Sequence, residues 1–216
     1  GKILLTYWLP WRAQEIIKPG LREREIATEI EYAMRSSGSD GVAFDTIVAS
    51  GAHSAFPHGG CGDRKIEKGD FLTIDIGAKY HDYCADLTRT VIVGKPSQKQ
   101  KELYSAVLSA REAAIGCLKA GVEASAVDAA ARDSIGEKGY GEYFVHGLGH
   151  GVGLEVHEPP TLNPASKEFL RAGNVITIEP GLYFPGFGGV RIEDAFLVKK
   201  TGVEKLTEAP YVMSVG

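Results

Sequence analysis

Apolar residues recur at helical spacing in three stretches of this chain. The clearest stretch covers residues 100–118, and its apolar positions are Leu103, Val107, Ala110 and Ala114. Intervals of three and four residues are those of one face of an α-helix. Residues 25–34 and 127–135 have the same period, and glycines at 38, 121 and 139 follow the three stretches. Because glycine ends many helices, we predict a helix in each stretch.

Alternating apolar and polar residues predict a strand over residues 71–78 and a return strand over residues 83–93. On the first strand Leu72, Ile74 and Ile76 share one face, and Thr73, Asp75 and Gly77 share the other. Successive side chains of a strand point to opposite faces. We therefore expect the apolar face to pack on helices and the face with Asp75 to line a polar or charged space. On the return strand, Cys84, Asp86 and Thr88 fall on one face.

A second hairpin shows the same alternation. Thr177 and Glu179 fall opposite Ile176 and Ile178, and on the return strand Arg191 and Glu193 fall opposite Val190 and Ile192. Each hairpin therefore carries a pair of acids on its polar face.

The two hairpins belong to an internal repeat. Residues 69–77 align with residues 173–181 at a constant offset of 104, and Asp75 falls on Glu179. Helices precede a hairpin in both copies, which is typical of an α+β protein. We predict one domain over residues 1–216, with two pseudo-symmetric helix–helix–hairpin halves, about 1–97 and 98–216, around a curved, antiparallel-rich sheet.

The first helix of the first half is expected to be shortened or absent. The region that corresponds to it contains Tyr7, Trp8, Pro10 and Trp11. A proline inside a helix costs about 3 kcal/mol.

Composition and charge exclude several classes of protein. With 24 basic and 28 acidic residues the net charge is −4, so no basic excess points to nucleic acid or to an anionic membrane. No stretch has the roughly 20 apolar residues of a membrane-spanning helix. Three cysteines are too few for a disulfide framework, and they predict a reducing compartment, the cytoplasm.

Four acids fall on the polar faces of the two hairpins: Asp75, Asp86, Glu179 and Glu193. Unpaired carboxylates that are buried together destabilise the fold and hold their protons more tightly. Two divalent cations would neutralise the four negative charges. The hairpins therefore predict a dinuclear metal site.

Histidines are concentrated in residues 146–158. Three of the six in the chain lie there: His146, His150 and His157. Alternate glycines disfavour a helix in this segment, and an extended chain places His146, Leu148 and His150 on one face. The glycines on the other face would let a backbone or a substrate approach closely. Strict alternation puts His157 on that opposite face.

Two further histidines are assigned by their surroundings. His58 lies on a Phe-Pro-His-Gly turn that could reach the site, whereas His53 is expected at the surface. The segment His157-Glu158 continues with two prolines, so the HExxH pattern of the zincins is missing.

The order Asp75, Asp86, His150, Glu179 and Glu193 resembles the ligand set of the pita-bread metallopeptidases, which include methionine aminopeptidase, aminopeptidase P and prolidase. Short strings resemble the proline-directed branch: Pro57-His58-Gly59, Thr73-Ile-Asp-Ile-Gly77, Asp86-Leu-Thr-Arg89, His146-Gly-Leu-Gly-His150, Glu179-Pro-Gly-Leu-Tyr183 and Gly189-Val-Arg-Ile-Glu-Asp194. The resemblance covers residues 14 to about 212. Aminopeptidase P and prolidase usually carry an additional N-terminal domain, which we expect this chain to lack.

This resemblance implies a ligand set for two divalent metals. Asp75 would bind one metal, Asp86 and Glu193 would bridge both, and His150 and Glu179 would complete the other. Oxygen-rich coordination with one imidazole favours Mn²⁺ or Co²⁺, with Zn²⁺ and Fe²⁺ as further options.

The same resemblance implies roles around the metals. Glu179 would also transfer a proton, while His157 and His146 would bind the substrate carbonyl and the tetrahedral intermediate. His58 would help to form a proline pocket, and Arg191 would orient a carboxylate ligand.

The implied reaction is hydrolysis of an Xaa-Pro bond at a free N-terminus, by an aminopeptidase P or a prolidase. The substrate would be a peptide with proline at its second position, and a homodimer is compatible with the resemblance. Two alternatives remain. One is a methionine aminopeptidase, a group that usually lacks the string at 190–194. The other is a non-catalytic pita-bread module that binds a protein, which the five intact ligands disfavour.

Overall fold

Three α-helices are present in the computed structural model, which describes residues 16–216. Helix α1 covers Glu23–Ser36, α2 covers Gln98–Cys117 and α3 covers Ala124–Gly136. Their ends differ from the predicted ends by one to three residues. The shortened helix expected around Pro10 lies outside the described residues.

In helix α2, the sequence determines which face is buried and at which residue the helix begins. The predicted apolar face is fully buried: Leu103, Val107, Ala110 and Ala114. At its start the Gln100 amide donates to Ser97 Oγ at 3.3 Å, and the Ser97 amide donates to Gln100 Oε1 at 2.9 Å. This reciprocal cap satisfies two backbone N–H groups that would otherwise lack partners, so α2 begins at Gln98.

The strands of the first half are β1 (Gly41–Val42), β2 (Ile47–Ser50), β3 (Phe71–Ile76), β4 (Ala78–Tyr80), β5 (Tyr83–Cys84) and β6 (Leu87–Val93). Strands β2, β3 and β6 form one antiparallel sheet, with Ile76 opposite Leu87. Strands β1, β4 and β5 form a smaller sheet. The predicted return strand over 83–93 is therefore interrupted, and Asp86 lies between β5 and β6.

The strands of the second half are β7 (Gly149–Gly151), β8 (Glu158–Leu162), β9 (Val175–Ile178), β10 (Gly181–Phe184), β11 (Gly188–Arg191), β12 (Asp194–Val198) and β13 (Val203–Lys205). Strand β9 pairs antiparallel with β12, with Ile178 opposite Asp194, while β10 and β11 pair only with each other. The predicted return strand is wrong in one respect, because Arg191 ends β11 and Glu193 lies before β12. Glu179 likewise follows β9.

The repeat predicted from the sequence is present in the topology. In each half a short hairpin, β4–β5 or β10–β11, interrupts the chain between two strands that pair with each other, β3 with β6 or β9 with β12. The pairing is antiparallel except where β14 (Ser214–Val215) runs parallel to β6. The three acids displaced from the predicted strands, Asp86, Glu179 and Glu193, lie where the chain leaves or re-enters the main sheet of each half.

Two apolar clusters fill the space between helices and strands. One packs α2 and α3 against strands of the second half, with Leu103, Ile176 and Phe196 among its members. The other packs α1 against β2, β3 and β6, with Ile26 and Ile74 among its members. The helices therefore cover one face of the strands and leave the other face for the polar side chains.

Within residues 16–216, no helix has both the length and the apolar character needed to cross a membrane. Cys61, Cys84 and Cys117 are all free thiols.

The cap of α2 gives a stability prediction. Ser97→Ala should lower the free energy of unfolding by about 1 kcal/mol, because the Gln100 amide loses its acceptor. Urea denaturation of the metal-loaded protein measures the change. Ser105→Ala, in the exposed middle of the same helix, is the matched control and should be neutral or slightly stabilising. Equal losses in the two variants would contradict the capping role.

Candidate metal centre

A cavity of about 710 Å³ brings together the residues that were singled out from the sequence. The five expected ligands line it: Asp75, Asp86, His150, Glu179 and Glu193. The other four predicted site residues line it as well: His58, His146, His157 and Arg191. These side chains come from both halves, so the cavity lies between the two repeats.

Asp86, His150 and Glu193 form the tightest group in the cavity. Each offers a ligand atom that lies within 4.8 Å of the ligand atoms of the other two. Asp86 directly precedes β6 and Glu193 directly precedes β12. The two acids therefore occupy equivalent positions in the two halves, each at the start of a buried strand. Asp86 is 4% exposed and Glu193 is 1% exposed.

Two of the carboxylates have one oxygen bound by the protein and one without a partner. Oδ2 of Asp75 accepts from Arg191 Nη2 at 2.7 Å, and Oε2 of Glu193 accepts from Thr88 Oγ1 at 2.6 Å. Oδ1 of Asp75 and Oε1 of Glu193 are buried and have no hydrogen-bond partner among the described residues. Buried acceptors of this kind are costly unless a cation or a donor binds them.

The imidazole of His150 is oriented by its own backbone. Its Nδ1 donates to the Gly151 carbonyl at 2.9 Å. Nε2 then faces the cavity, 3.3 Å from Glu179 Oε1 and 3.6 Å from Asp86 Oδ2. A neutral imidazole with its proton on Nδ1 has the Nε2 lone pair free for a metal.

Helix α3 holds the glycine-rich segment in place. The Leu148 amide donates to Asp128 Oδ1 at 3.0 Å, and Arg132 Nη2 donates to the His146 carbonyl at 2.9 Å. A Cβ on Gly149 would lie 2.1 Å from the Thr177 carbonyl oxygen, so the predicted close approach of another backbone is confirmed there. Leu148 does not share the face of His146 and His150, because its side chain is fully buried in the core.

A hydrogen-bonded chain links His146 to Asp75. Arg191 Nη1 donates to Tyr183 Oη at 2.8 Å, and Tyr183 Oη donates to His146 Nε2 at 2.8 Å. His146 Nδ1 donates to the Gly147 carbonyl at 2.7 Å, so both of its ring nitrogens are engaged. Arg191 also binds Asp75 through Nη2, which places it where it can orient that carboxylate. Tyr183 received no role from the sequence, and its only signal was its place in the Glu179–Tyr183 string.

His157 and His58 lie on the open walls of the cavity. The ring of His157 is 4.3 Å from that of His150 between centroids, at an interplanar angle of 67°. Strict alternation predicted His157 on the opposite face, which is wrong because the chain bends repeatedly between β7 and β8. His58 is exposed and lines the same cavity.

His53 is the histidine that the sequence placed incorrectly. It was expected at the surface, but its side chain is only 28% exposed and its Nδ1 lies 2.9 Å from a carboxylate oxygen of the fully buried Glu23. The distant partner on α1 explains the error, because nothing near His53 in the sequence indicates it.

The acids of the cavity repel one another. Burial, followed by the charges of Asp75 and Glu179, raises the pKa of Asp86 well above its usual range. Burial and the charges of Asp86 and Glu179 do the same to the pKa of Glu193. Burial also raises the pKa of Asp75, although Arg191 opposes the shift. These shifts mean that the cavity favours added positive charge, whether protons or cations.

For Glu179 and His150, hydrogen bonds and nearby charges outweigh the effect of burial on the pKa. Burial alone would raise the pKa of Glu179, but the hydrogen bond with His150 and the charge of His146 lower it. Burial opposes protonation of His150, yet the same bond with Glu179 raises its pKa. Burial lowers the pKa of His146 and of His157, so both rings are held in their neutral form near neutral pH.

The donor set fits divalent cations. Four carboxylates and one imidazole surround the cavity, two carboxylate oxygens lack partners, and three of the acids have raised pKa values. Oxygen donors with an imidazole are the ligands that ions such as Mn²⁺ accept. A metal would satisfy the unpaired oxygens and remove the repulsion at the same time.

Two pseudo-symmetric halves with such a site between them define a pita-bread metallopeptidase. A model of metallopeptidase family M24 matches residues 11–200. The chain belongs to this family, and the fold and branch that the sequence resembled are confirmed.

Similar proteins carry related names. An Xaa-Pro dipeptidase of Pyrococcus horikoshii is 53% identical over 196 residues, which are 91% of this chain and 56% of that protein. The crystal structure of an X-Pro aminopeptidase from Thermotoga maritima matches with a TM-score of 0.95 and 47% identity, over 99% of this chain and 61% of that one. The prolidase from Pyrococcus furiosus matches with a TM-score of 0.91 and 50% identity, over 93% and 59%. This chain thus spans little more than half the length of these relatives.

Metal removal should destabilise the protein in a pH-dependent way. Without metal, a carboxyl whose pKa is raised by folding binds its proton more tightly in the folded state. Stability is then lost as the pH rises from the ordinary carboxyl range, about pH 4, through the raised value. The fall in melting temperature caused by a chelator should therefore be larger near about pH 8 than near about pH 6. Differential scanning calorimetry measures it.

Two variants make this measurement specific. Glu193→Gln removes one of the acids with a raised pKa. The melting temperature of the metal-free protein should therefore fall less as the pH rises. Glu142→Gln, an exposed acid away from the cavity, should leave this pH dependence unchanged. Identical melting curves with and without metal, after verified metal removal, would contradict the presence of a metal site.

Proposed function

We propose that this chain is the catalytic part of a dinuclear-metal peptidase that hydrolyses the Xaa-Pro bond at the free N-terminus of a peptide. The observation that carries the proposal is the convergence of four carboxylates and His150 on one buried cavity, with Pro57 and His58 on its wall. The names of the similar proteins support the same substrate. They include both a dipeptidase and an aminopeptidase, so peptide length is left open.

Five residues would hold the metals. Asp75 would bind one ion, Asp86 and Glu193 would bridge both, and His150 and Glu179 would complete the second. Four carboxylates match the charge of two divalent ions, and the oxygens of Asp75 and Glu193 that lack hydrogen-bond partners would be available to bind them. Mn²⁺ or Co²⁺ are the ions we propose from the oxygen-rich ligand set. When bound, the ions would activate a water and polarise the carbonyl of the scissile bond.

Glu179 would move the proton that hydrolysis requires. Its low pKa keeps it ionised, so its carboxylate can accept a proton from the attacking water. The same carboxylate would then give that proton to the proline nitrogen as the C–N bond breaks. His150, 3.3 Å away, fixes the carboxylate for both steps.

The histidines on the cavity walls would contact the substrate. His157 is neutral and partly exposed, so a ring N–H can donate to the carbonyl oxygen as negative charge develops there. His146, with its ring oriented by Tyr183, would also contact the substrate. On the side where the proline ring would lie, His58 and Pro57 would form the pocket. Arg191 would hold Asp75 and, through the Pro57 carbonyl at 3.3 Å, the wall of that pocket.

The two alternatives are less well supported. A methionine aminopeptidase would not need the Arg191–Glu193 arrangement, in which Arg191 binds both Asp75 and Tyr183. A non-catalytic module would have no reason to keep unpaired carboxylate oxygens in its core. Neither alternative is favoured by the names of the similar proteins.

The remaining predictions concern organisation and location. We propose that residues 1–216 form one catalytic domain whose halves meet near residue 97. The free thiols are consistent with the cytoplasm, which is the location we propose. A homodimer stays a prediction that gel filtration with light scattering would test.

Substrate choice tests the branch of the family. Peptides that begin Ala-Pro should be cleaved with a kcat/KM at least about tenfold above that of matched Ala-Ala peptides, a difference of about 1.4 kcal/mol. The assay follows release of the first residue with Mn²⁺ present, on dipeptides and on longer peptides. Equal turnover would contradict the proline-directed branch, and preference for Met-Ala peptides would favour the methionine aminopeptidase.

Two substitutions separate chemistry from metal binding. Glu193→Ala should lose at least one metal ion per chain and nearly all activity, because this carboxylate would serve both ions. His157→Ala should keep both ions while kcat falls by about 10²–10³, the usual effect of losing a donor to a developing oxyanion. Metal analysis and steady-state kinetics decide the matter. Metal loss in His157→Ala, or a dinuclear and active Glu193→Ala, would show that the roles are wrongly assigned.

A further inference from the structure

Glu23 is a fully buried carboxylate outside the metal centre. It lies at the start of α1 and accepts from the Ser50 amide and the Ser50 hydroxyl, each at 2.7 Å. The Gly62 amide donates to its other oxygen at 2.9 Å. Since these partners come before and after residues 51–61, Glu23 holds the two ends of one loop together.

His53 joins Glu23 to the middle of the same loop. Its Nδ1 is 2.9 Å from Glu23 Oε2, and its Nε2 is 3.1 Å from the Gly59 carbonyl oxygen. The ring therefore lies between two acceptors, the Glu23 carboxylate on one side and the Gly59 carbonyl on the other. In this position it acts as a brace between α1 and the loop.

The braced loop is the one that forms the proposed proline side of the cavity. Pro57 and His58 line the cavity, and the Pro57 carbonyl accepts from Arg191 Nη1 at 3.3 Å. A Cβ on Gly59 would lie 2.9 Å from His53 Nε2, so the ring packs directly against the backbone beyond His58. His58 is thus fixed through Arg191 on one side and through His53 on the other.

We infer that His53, held by Glu23, is a positioning residue that fixes His58 at the proline side of the cavity and so sets the affinity for Xaa-Pro peptides. The inference rests on the proposed function, in which His58 contacts the substrate. His53 acts through the loop backbone and does not touch the substrate. A purely structural brace would change the stability of the protein and leave substrate binding unaltered.

Kinetics on the metal-loaded protein distinguish the two roles. His53→Phe keeps a ring but removes the polar contacts of both ring nitrogens, so KM for Ala-Pro peptides should rise by at least about two- to tenfold, the factor that corresponds to the loss of one hydrogen bond. Metal content should not change, and kcat should change less than KM. His53→Gln, which can still donate, should restore part of the affinity. A lower melting temperature with an unchanged KM would overturn the inference.

Asp70 offers a control in the same polar cluster. It binds Arg64, which in turn donates to Ser50 Oγ at 2.6 Å, and its other side-chain hydrogen bond is from the Glu67 amide at 2.8 Å. Asp70→Asn should lower the melting temperature and leave KM unchanged. A rise in KM equal to that of His53→Phe would mean that general loosening, and not His53, controls affinity.

A double-mutant cycle tests whether His53 acts through His58. In a His58→Ala background, His53→Phe should change KM by less than about twofold, because the side chain that it positions is already missing. An undiminished effect in that background would overturn the inference.

Hydrogen–deuterium exchange gives a readout that needs no activity. In His53→Phe, amides of residues 56–62 should exchange faster than in the unmodified protein, while those of β3 and β6 should not change. If the unmodified protein cleaves no Xaa-Pro peptide, the proposed function fails, and exchange still decides whether His53 fixes this loop. Unchanged exchange over residues 56–62 would overturn the inference.

Discussion

Repulsion among buried carboxylates is the constraint on which the rest of this structure depends. Asp75, Asp86 and Glu193 are each less than a tenth exposed, and together with Glu179 they bring four acids to one cavity. Such a group is unfavourable in a protein interior unless cations, hydrogen-bond donors or protons compensate it. The protein supplies only part of this compensation, through Arg191, Thr88 and His150. The pKa values of these three acids remain raised, so the compensation by the protein is incomplete and added cations are favoured.

The pseudo-symmetry of the fold explains how these acids meet. Asp86 and Glu193 occupy equivalent positions, directly before β6 and β12. The two halves contact each other next to these two residues. The Glu193 amide donates to the Thr88 carbonyl at 3.1 Å, and Arg89 Nη2 binds Asp194 Oδ1 at 2.8 Å. Asp194 is fully buried, and its bonds to Arg89 and Arg111 keep its pKa low against the effect of burial. These buried ion pairs next to the candidate metal centre therefore hold the two halves together.

Around the cavity, the side chains to which we assign metal or substrate contacts are held by others that have no such role. Tyr183 and Arg191 fix His146 and Asp75, helix α3 fixes the glycine-rich segment, and His53 with Glu23 braces the loop of His58. Catalytic geometry is sensitive to small displacements, so these supports matter as much as the ligands. They also explain the large number of buried polar residues in a protein that otherwise has an ordinary apolar core.

The sequence by itself determined the helices, the repeat and the family, and it predicted a ligand set whose members line one cavity, because periodicity and short strings of residues can be read directly from the chain. It did not determine where strands end, so Asp86, Glu179 and Glu193 were placed on strands that they border. It also missed Tyr183, misplaced Leu148 and assigned His53 to the surface. Each error concerns contacts between residues far apart in the chain. Only the tertiary structure decides such contacts, because they depend on how the two halves and α1 pack around one cavity.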